Sequence, residues 1–235
     1  MSIRGAPNKL SDAMAIHAEI FADARKCMVD SQIRPNRVTD PRVLAAMRSL
    51  PREQFLPPGV QALAYADEDV PLGNGRFLME PMVFARLLQA ASLVSGERVL
   101  VVGAGTGYGA AVLAACGCRV TALEEDAALL AMAAARLPLH APGVMLVSGP
   151  LSAGWVSQGP YDLILIEGAV PEIPATLAGQ THRETGRIMT FIATAGRTTR
   201  AVIAEATPAG LGISPLFDCA TPVIPSFRKA PAFAF

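Results

Sequence analysis

From Arg98 to Gly109 the sequence reads RVLVVGAGTGYG, an apolar run that breaks into glycines at 103, 105 and 107 and then resumes as an alanine-rich segment. Glycine lets a chain turn sharply and lets a ligand approach the backbone. A second apolar run, CRVTALE, ends at Glu124, followed by Glu125. Glu124 comes roughly 20 residues after Gly103, the spacing at which an acid at a strand end meets a ribose. A carboxylate suits two vicinal hydroxyls because it offers two acceptor oxygens. The dinucleotide fingerprint needs glycine at 108, where Tyr108 stands, and no phosphate-binding G-x-x-x-x-G-K pattern is present. The cofactor these residues fit is therefore S-adenosylmethionine (SAM), which carries no phosphate. Gly103, Ala104, Gly105, Thr106 and Gly107 would hold its methionine part and Glu124 its ribose, with Tyr108 and Glu125 as further cofactor-binding candidates. A purely structural turn is the alternative. An NAD-dependent oxidoreductase is a third reading, disfavoured by Tyr108.

Such a turn needs a sheet to hold it. Apolar residues at helical spacing predict a helix over 10–33, and Asp40 before Pro41 is a good start for another. Residues 51–81 are rich in Pro and Gly and are expected to be ordered but irregular. A helix follows from Pro81 to near Gly96. Strands are predicted at 98–102, 118–124, 144–148 and 161–167, with helices at 107–116 and 126–137. The last of these strands, YDLILIE, is almost continuously apolar, as in a strand buried on both faces. Segments 186–193, 200–206 and 212–218 have short links and predict an antiparallel edge. The fold class is α/β: a doubly wound, mostly parallel, Rossmann-like sheet with an N-terminal helical extension and an antiparallel C-terminal edge. The expected organisation is a helical region over 1–80 packed on one compact unit over 81–235.

Composition narrows the function classes. The chain has 235 residues, 51% of them hydrophobic and 17% charged, which favours a filled core over disorder. The formal net charge is zero, without the basic excess of a nucleic-acid binder. No apolar run is long enough to span a membrane, and the first residues lack a signal-peptide core. Cys27, Cys116, Cys118 and Cys219 are read as free thiols in a reducing, cytoplasmic setting. His17, His140 and His182 have no ligand spacing, so no metal is expected.

The sequence resembles the protein-L-isoaspartate O-methyltransferase family along most of its length. RKCMVDSQIRPNRVTDPRVLAAMRSLPREQFLP matches an M-V-x-x-Q element, a D-x-R-V-L-x-A-M helix and a P-R-x-x-F-[LV]-P end. AYADEDVPLGNGR resembles Y-x-D-x-x-[LI]-P-I-G-x-G-Q, and VLVVGAGTGYGAAVLA resembles V-L-E-I-G-x-G-S-G-Y-x-A-A-V-L-A. PYDLILIEGAVPEIPATLAGQ resembles the strand and loop that follow. The resemblance implies SAM-dependent methyl transfer to an isoaspartyl carboxylate on a protein or peptide, a repair reaction needing no general base. The departures lie in the pocket. The family's substrate-binding serine, in T-[IV]-S-x-P, is here Met79 in FLMEP, beside Glu80. The acid opening its glycine motif is Val101. Its adenine-binding G-D-G reads Gly149, Pro150, Leu151, leaving the Leu151 amide for the adenine edge. Two lost hydrogen bonds, at about 0.5–1.5 kcal/mol each, predict cofactor binding weaker by one or two orders of magnitude. A non-catalytic interaction module of the same fold is the rival reading. Phe227, Phe233 and Phe235 near the C-terminus are expected to dock on the domain; a partner or homodimer surface is the alternative.

Overall fold

The computed structural model describes residues 9–193, 198–207 and 210–228. The chain begins with helices α1 (Lys9–Cys27) and α2 (Pro41–Ser49), a hairpin of β1 (Val70–Gly73) and β2 (Arg76–Leu78), and α3 (Pro81–Ala91). Strands and helices then alternate: β3 (Arg98–Val102), α4 (Tyr108–Ala115), β4 (Arg119–Glu124), α5 (Ala127–His140), β5 (Met145–Ser148), β6 (Leu163–Val170) and the short α6 (Ala175–Ala178). The sheet closes with β7 (Arg187–Ile192), β8 (Thr199–Thr207) and β9 (Gly210–Cys219).

Among the described residues, seven strands form one sheet in the order β5-β4-β3-β6-β7-β8-β9. Pairings from β5 through β7 are parallel, while β8 and β9 add antiparallel. This is the expected doubly wound sheet with its antiparallel edge. Alternation explains the unbroken apolar runs. Val99 and Val101 of β3 join the core cluster on one face, Leu100 and Val102 the cluster on the other. Asp40 caps α2, accepting from the Arg42 amide at 2.8 Å. Asp126 caps α5, accepting from the amides of Ala128 at 2.9 Å and Leu129 at 3.0 Å.

The hairpin corrects the expectation of an irregular 51–81. Its two-residue loop is Asn74-Gly75, with φ of 51° and 70°. Both angles are positive, as a two-residue hairpin loop of this sequence requires, and that conformation matches strand twist. Asn74 Nδ2 donates to Asp126 Oδ2 at 2.7 Å, pinning the tip to the start of α5.

The chain leaves β3 towards β4 and β5, then returns to β6 on the other side of β3. Ligands of open α/β sheets bind in the crevice at the carboxyl ends of strands at such a switch point. There β6 is irregular. Leu165 pairs with Met189 and Ala169 with Phe191, so Ile166, Glu167 and Gly168 bulge out. Gly168 has φ 150°. The C-terminal segment lies across this end: the Ala169 amide donates to Pro222 O at 2.9 Å and the Ile224 amide to Ala169 O at 3.0 Å. Phe227 packs against the cluster containing Leu100, Val102 and Ile166; Phe233 and Phe235 lie outside the described residues. No helix of the described residues is long and apolar enough to cross a membrane.

Candidate active site

The glycine turn is tied to β4 by the amides of Gly103 and Ala104, both donating to Leu123 O at 3.0 Å. Gly103, Gly105 and Gly107 have φ of 73°, 58° and 93°, a region that L side chains rarely adopt. Side chains from elsewhere in the chain close on the turn. A Cβ on Gly107 would lie 2.9 Å from Leu137, one on Gly105 3.3 Å from Leu72, and one on Gly103 3.0 Å from Arg76 Nη2.

Glu124 is inaccessible to solvent, with 0% exposure. Its Oε1 accepts from the amides of Glu125 and Asp126, both at 2.9 Å, and its Oε2 from the Gly105 amide at 2.7 Å. Arg76 completes the set. Nη1 donates to Oε1 at 2.8 Å, and Nη2 to Oε2 at 3.1 Å and to Gly103 O at 2.8 Å. Arg76 is itself 6% exposed, so this is a buried bidentate ion pair.

The other expected contacts are spread around this pair. Glu125 Oε2 accepts from the Leu151 amide at 3.3 Å, so the amide expected at the adenine edge has a partner within the chain. Leu151 is buried and Pro150 exposed. Ala104 and Thr106 are buried in the turn, and Thr106 Oγ1 is sealed without a hydrogen-bond partner. Tyr108, expected among the cofactor contacts, has its ring in the core. Phe55 lies 5.5 Å away edge-on, Phe84 6.2 Å away, and the Arg52 guanidinium 4.9 Å above the ring. Only its backbone belongs to the turn. Val101 fills the strand core.

On the acceptor side, Met79 is buried and its carbonyl accepts from Arg52 Nη2 at 2.6 Å. Met79, Arg76, Asp69, Glu167 and Thr221 line one small cavity of about 10 Å³, room for a single water-sized group. Burial raises the Asp69 carboxyl above its usual range. Burial and the neighbouring Asp67 and Asp69 push the Glu80 carboxyl up to about 7. The environment carries several carboxyls, and Met79 stands where the family's serine hydroxyl is expected beside an anionic acceptor.

The sequence reading missed two residues here. Arg76 stands at the glutamine of the G-x-G-Q element, and a lone charge in an apolar hairpin was its signal. Glu167 closes YDLILIE and reads there as a strand end.

The residues present fit a SAM site. Arg76 sets two N–H donors on the two oxygens of Glu124, the pattern that two neighbouring hydroxyls would reproduce, and the sealed Thr106 hydroxyl lies in the adjoining turn. A doubly wound sheet with a glycine turn after β3 and a buried acid ending β4 defines the SAM-dependent methyltransferase class. Within it, the chain belongs to the protein-L-isoaspartate(D-aspartate) O-methyltransferase family, whose model matches residues 23–207. It is 44% identical over 164 residues to protein-L-isoaspartate O-methyltransferase 1 of Rhodopseudomonas palustris strain HaA2, covering 69% of this chain and 67% of that protein. With the Methylorubrum extorquens enzyme, identity is 43% over 159 residues, covering 68% and 70%. A solved protein-L-isoaspartate O-methyltransferase superposes with TM-score 0.74 at 24% identity, covering 85% of this chain and 65% of that one. A putative Plasmodium falciparum member, solved with S-adenosyl-L-homocysteine, gives 0.73 at 17% identity, covering 86% and 98%.

Proposed function

We propose that this chain transfers a methyl group from SAM to a protein or peptide, with the isoaspartyl carboxylate of its family as the acceptor to test first. When bound, SAM supplies a sulfonium methyl open to in-line displacement. Glu124 would accept from the ribose hydroxyls, Glu125 and Leu151 would border the adenine, and residues 103–107 would give backbone room to the methionine part. An isoaspartyl carboxylate is ionised at neutral pH, so no general base is required. The remaining work is alignment and exclusion of water. The single observation supporting the reading is Glu124: a buried acid beside a glycine turn, already receiving paired donors on both oxygens. The reading includes protein repair and a cytoplasmic location, consistent with unpaired thiols at Cys27, Cys116, Cys118 and Cys219.

A second reading, an interaction module without catalysis, is favoured by the same ion pair, which closes the acid from within. Calorimetric titration with SAM and with its demethylated product separates the two. Micromolar binding supports the enzyme; no binding to folded protein up to millimolar concentrations overturns it.

Met79 sets the acceptor test. A hydrogen bond to a charged group contributes about 1.5–3 kcal/mol. Met79→Ser should therefore raise transfer of a tritiated methyl to an isoaspartyl peptide by at least about tenfold. An unchanged rate would argue against a carboxylate acceptor.

A further inference from the structure

Glu167 has no role in the reaction described above, and its setting is unusual. It is the first residue of β6 beyond the last β3 pairing, Val102 with Ile166, and it lies in the bulge opposite β7. Bulges beside active sites re-aim side chains, and this one aims the Glu167 carboxyl into the cavity shared with Arg76 and Met79. Oε1 is sealed from solvent and has no hydrogen-bond partner. It rests on Gly109 in the first turn of α4, where a Cβ would overlap the carboxyl. Glu167 is half-buried overall, but a carboxylate oxygen sealed without a partner is costly, so burial favours the protonated form. Burial, reinforced by Glu124, pushes this carboxyl up to about 8, against the pull of Arg76 and Arg52.

Two arginines act on Glu167. Arg52 is fixed, with Nε donating to Ala64 O and Nη2 to Met79 O, both at 2.6 Å, and its guanidinium over the Tyr108 ring. Arg76 occupies the oxygens of Glu124 that a ribose would need. A guanidinium displaced from there and left buried without a partner would cost several kcal/mol. The same cavity offers it a vacant acceptor.

We propose that Arg76 has two seats, Glu124 and Glu167, and that occupation of Glu124 by the cofactor ribose hands the guanidinium to Glu167. This makes Glu167 a positioning residue for cofactor binding. The inference rests on the reading of Glu124 as the ribose acid. It carries a proton signature. Before binding, the carboxyl is protonated at pH 7; paired with Arg76 it is ionised. The charged groups around it are Arg76 from β2, Glu124 from β4, Arg52, and Asp69 before β1. Binding therefore releases a proton, and affinity rises by up to about tenfold per pH unit until about pH 8, then levels.

The test is calorimetric titration with SAM at pH 7, in two buffers of different ionisation enthalpy. Wild type should release close to one proton per cofactor bound. Glu167→Gln should release almost none and bind at least about tenfold more weakly at pH 8, having lost the ionised second seat. Arg76→Gln should bind without release. The folding control is thermal denaturation of Glu167→Gln, which should gain stability relative to wild type as pH rises from the ordinary carboxylate range to about 8, and level beyond it. The raised carboxyl stabilises the fold only while protonated, and that contribution is lost by about pH 8. Wild-type binding without proton release, or equal release by Glu167→Gln, overturns the two-seat inference and leaves the methyltransferase reading intact. Absence of SAM binding by both wild type and Arg76→Gln overturns both.

Discussion

Arg76→Gln should bind SAM at least about tenfold more tightly than the wild-type chain. In the wild type, a ligand reaching Glu124 must first break a buried, bidentate ion pair with N–O distances of 2.8 and 3.1 Å. Removing one partner of such a pair costs about 3–5 kcal/mol when the other charge stays buried, and reseating on Glu167 recovers only part of that. Glutamine, the residue of the family's G-x-G-Q element, is neutral and shorter, so the pair is never formed. Glu124 then keeps three amide donors, from Gly105, Glu125 and Asp126, and has acceptor capacity left for the ribose. The same substitution should lower the melting temperature of the unliganded protein. Affinity and folded-state stability should move in opposite directions, which a general loss of structure would not produce. Equal or weaker binding by Arg76→Gln would show that the guanidinium does not compete with the cofactor.

Glu124→Gln should be the most destabilising single change in the site, at about 3 kcal/mol. It leaves the Arg76 guanidinium buried without its counter-ion. It also turns one acceptor oxygen into an amide donor facing backbone N–H groups at 2.7–2.9 Å. For a domain of this size, about 3 kcal/mol corresponds to a fall in melting temperature of roughly 6–12 °C. The double variant Arg76→Gln/Glu124→Gln should lose clearly less than the two single losses added together, because the buried charges leave together. SAM binding should fail in both variants carrying Glu124→Gln. Thermal denaturation of the four proteins closes the cycle, and simple additivity would mean that the pair contributes nothing beyond its separate parts.

Much of the fold was legible because the central strands are buried on both faces. Continuous runs such as RVLVV and YDLILIE, separated by helix-length segments, leave few alternatives to a parallel sheet. Glu124 was legible for a related reason: an acid ending such a run must find partners. The hairpin at 70–78 was harder. Pro71 and Gly73 depress the strand pattern, and only the Asn74-Gly75 dipeptide signals a tight turn. Missing the hairpin meant missing Arg76, whose partner lies 48 positions away. Long-range ion pairs leave no periodic trace in a sequence. Glu167 was hidden differently. Its inward aim depends on a register slip between β6 and β7, a property of the pairing and not of either strand alone. At Tyr108 the sequence left two places open, a ligand contact beside the glycine turn or a core ring, and the ring lies in the core.

The hairpin tip also bears on the chemical lifetime of the molecule. Asparagine followed by glycine is the dipeptide most open to succinimide formation, because glycine leaves its own amide nitrogen free to attack the side-chain carbonyl. At Asn74 that side chain is tethered to Asp126, which restrains its rotation. Loss of that hydrogen bond would free the side chain for ring closure. Asp126→Ala should therefore speed succinimide formation at Asn74, read by mass spectrometry of the aged protein. In the wild-type chain its product, an added negative charge beside Asp126 and a backbone lengthened by one carbon in the isoaspartyl form, would work against Arg76 returning to its seat.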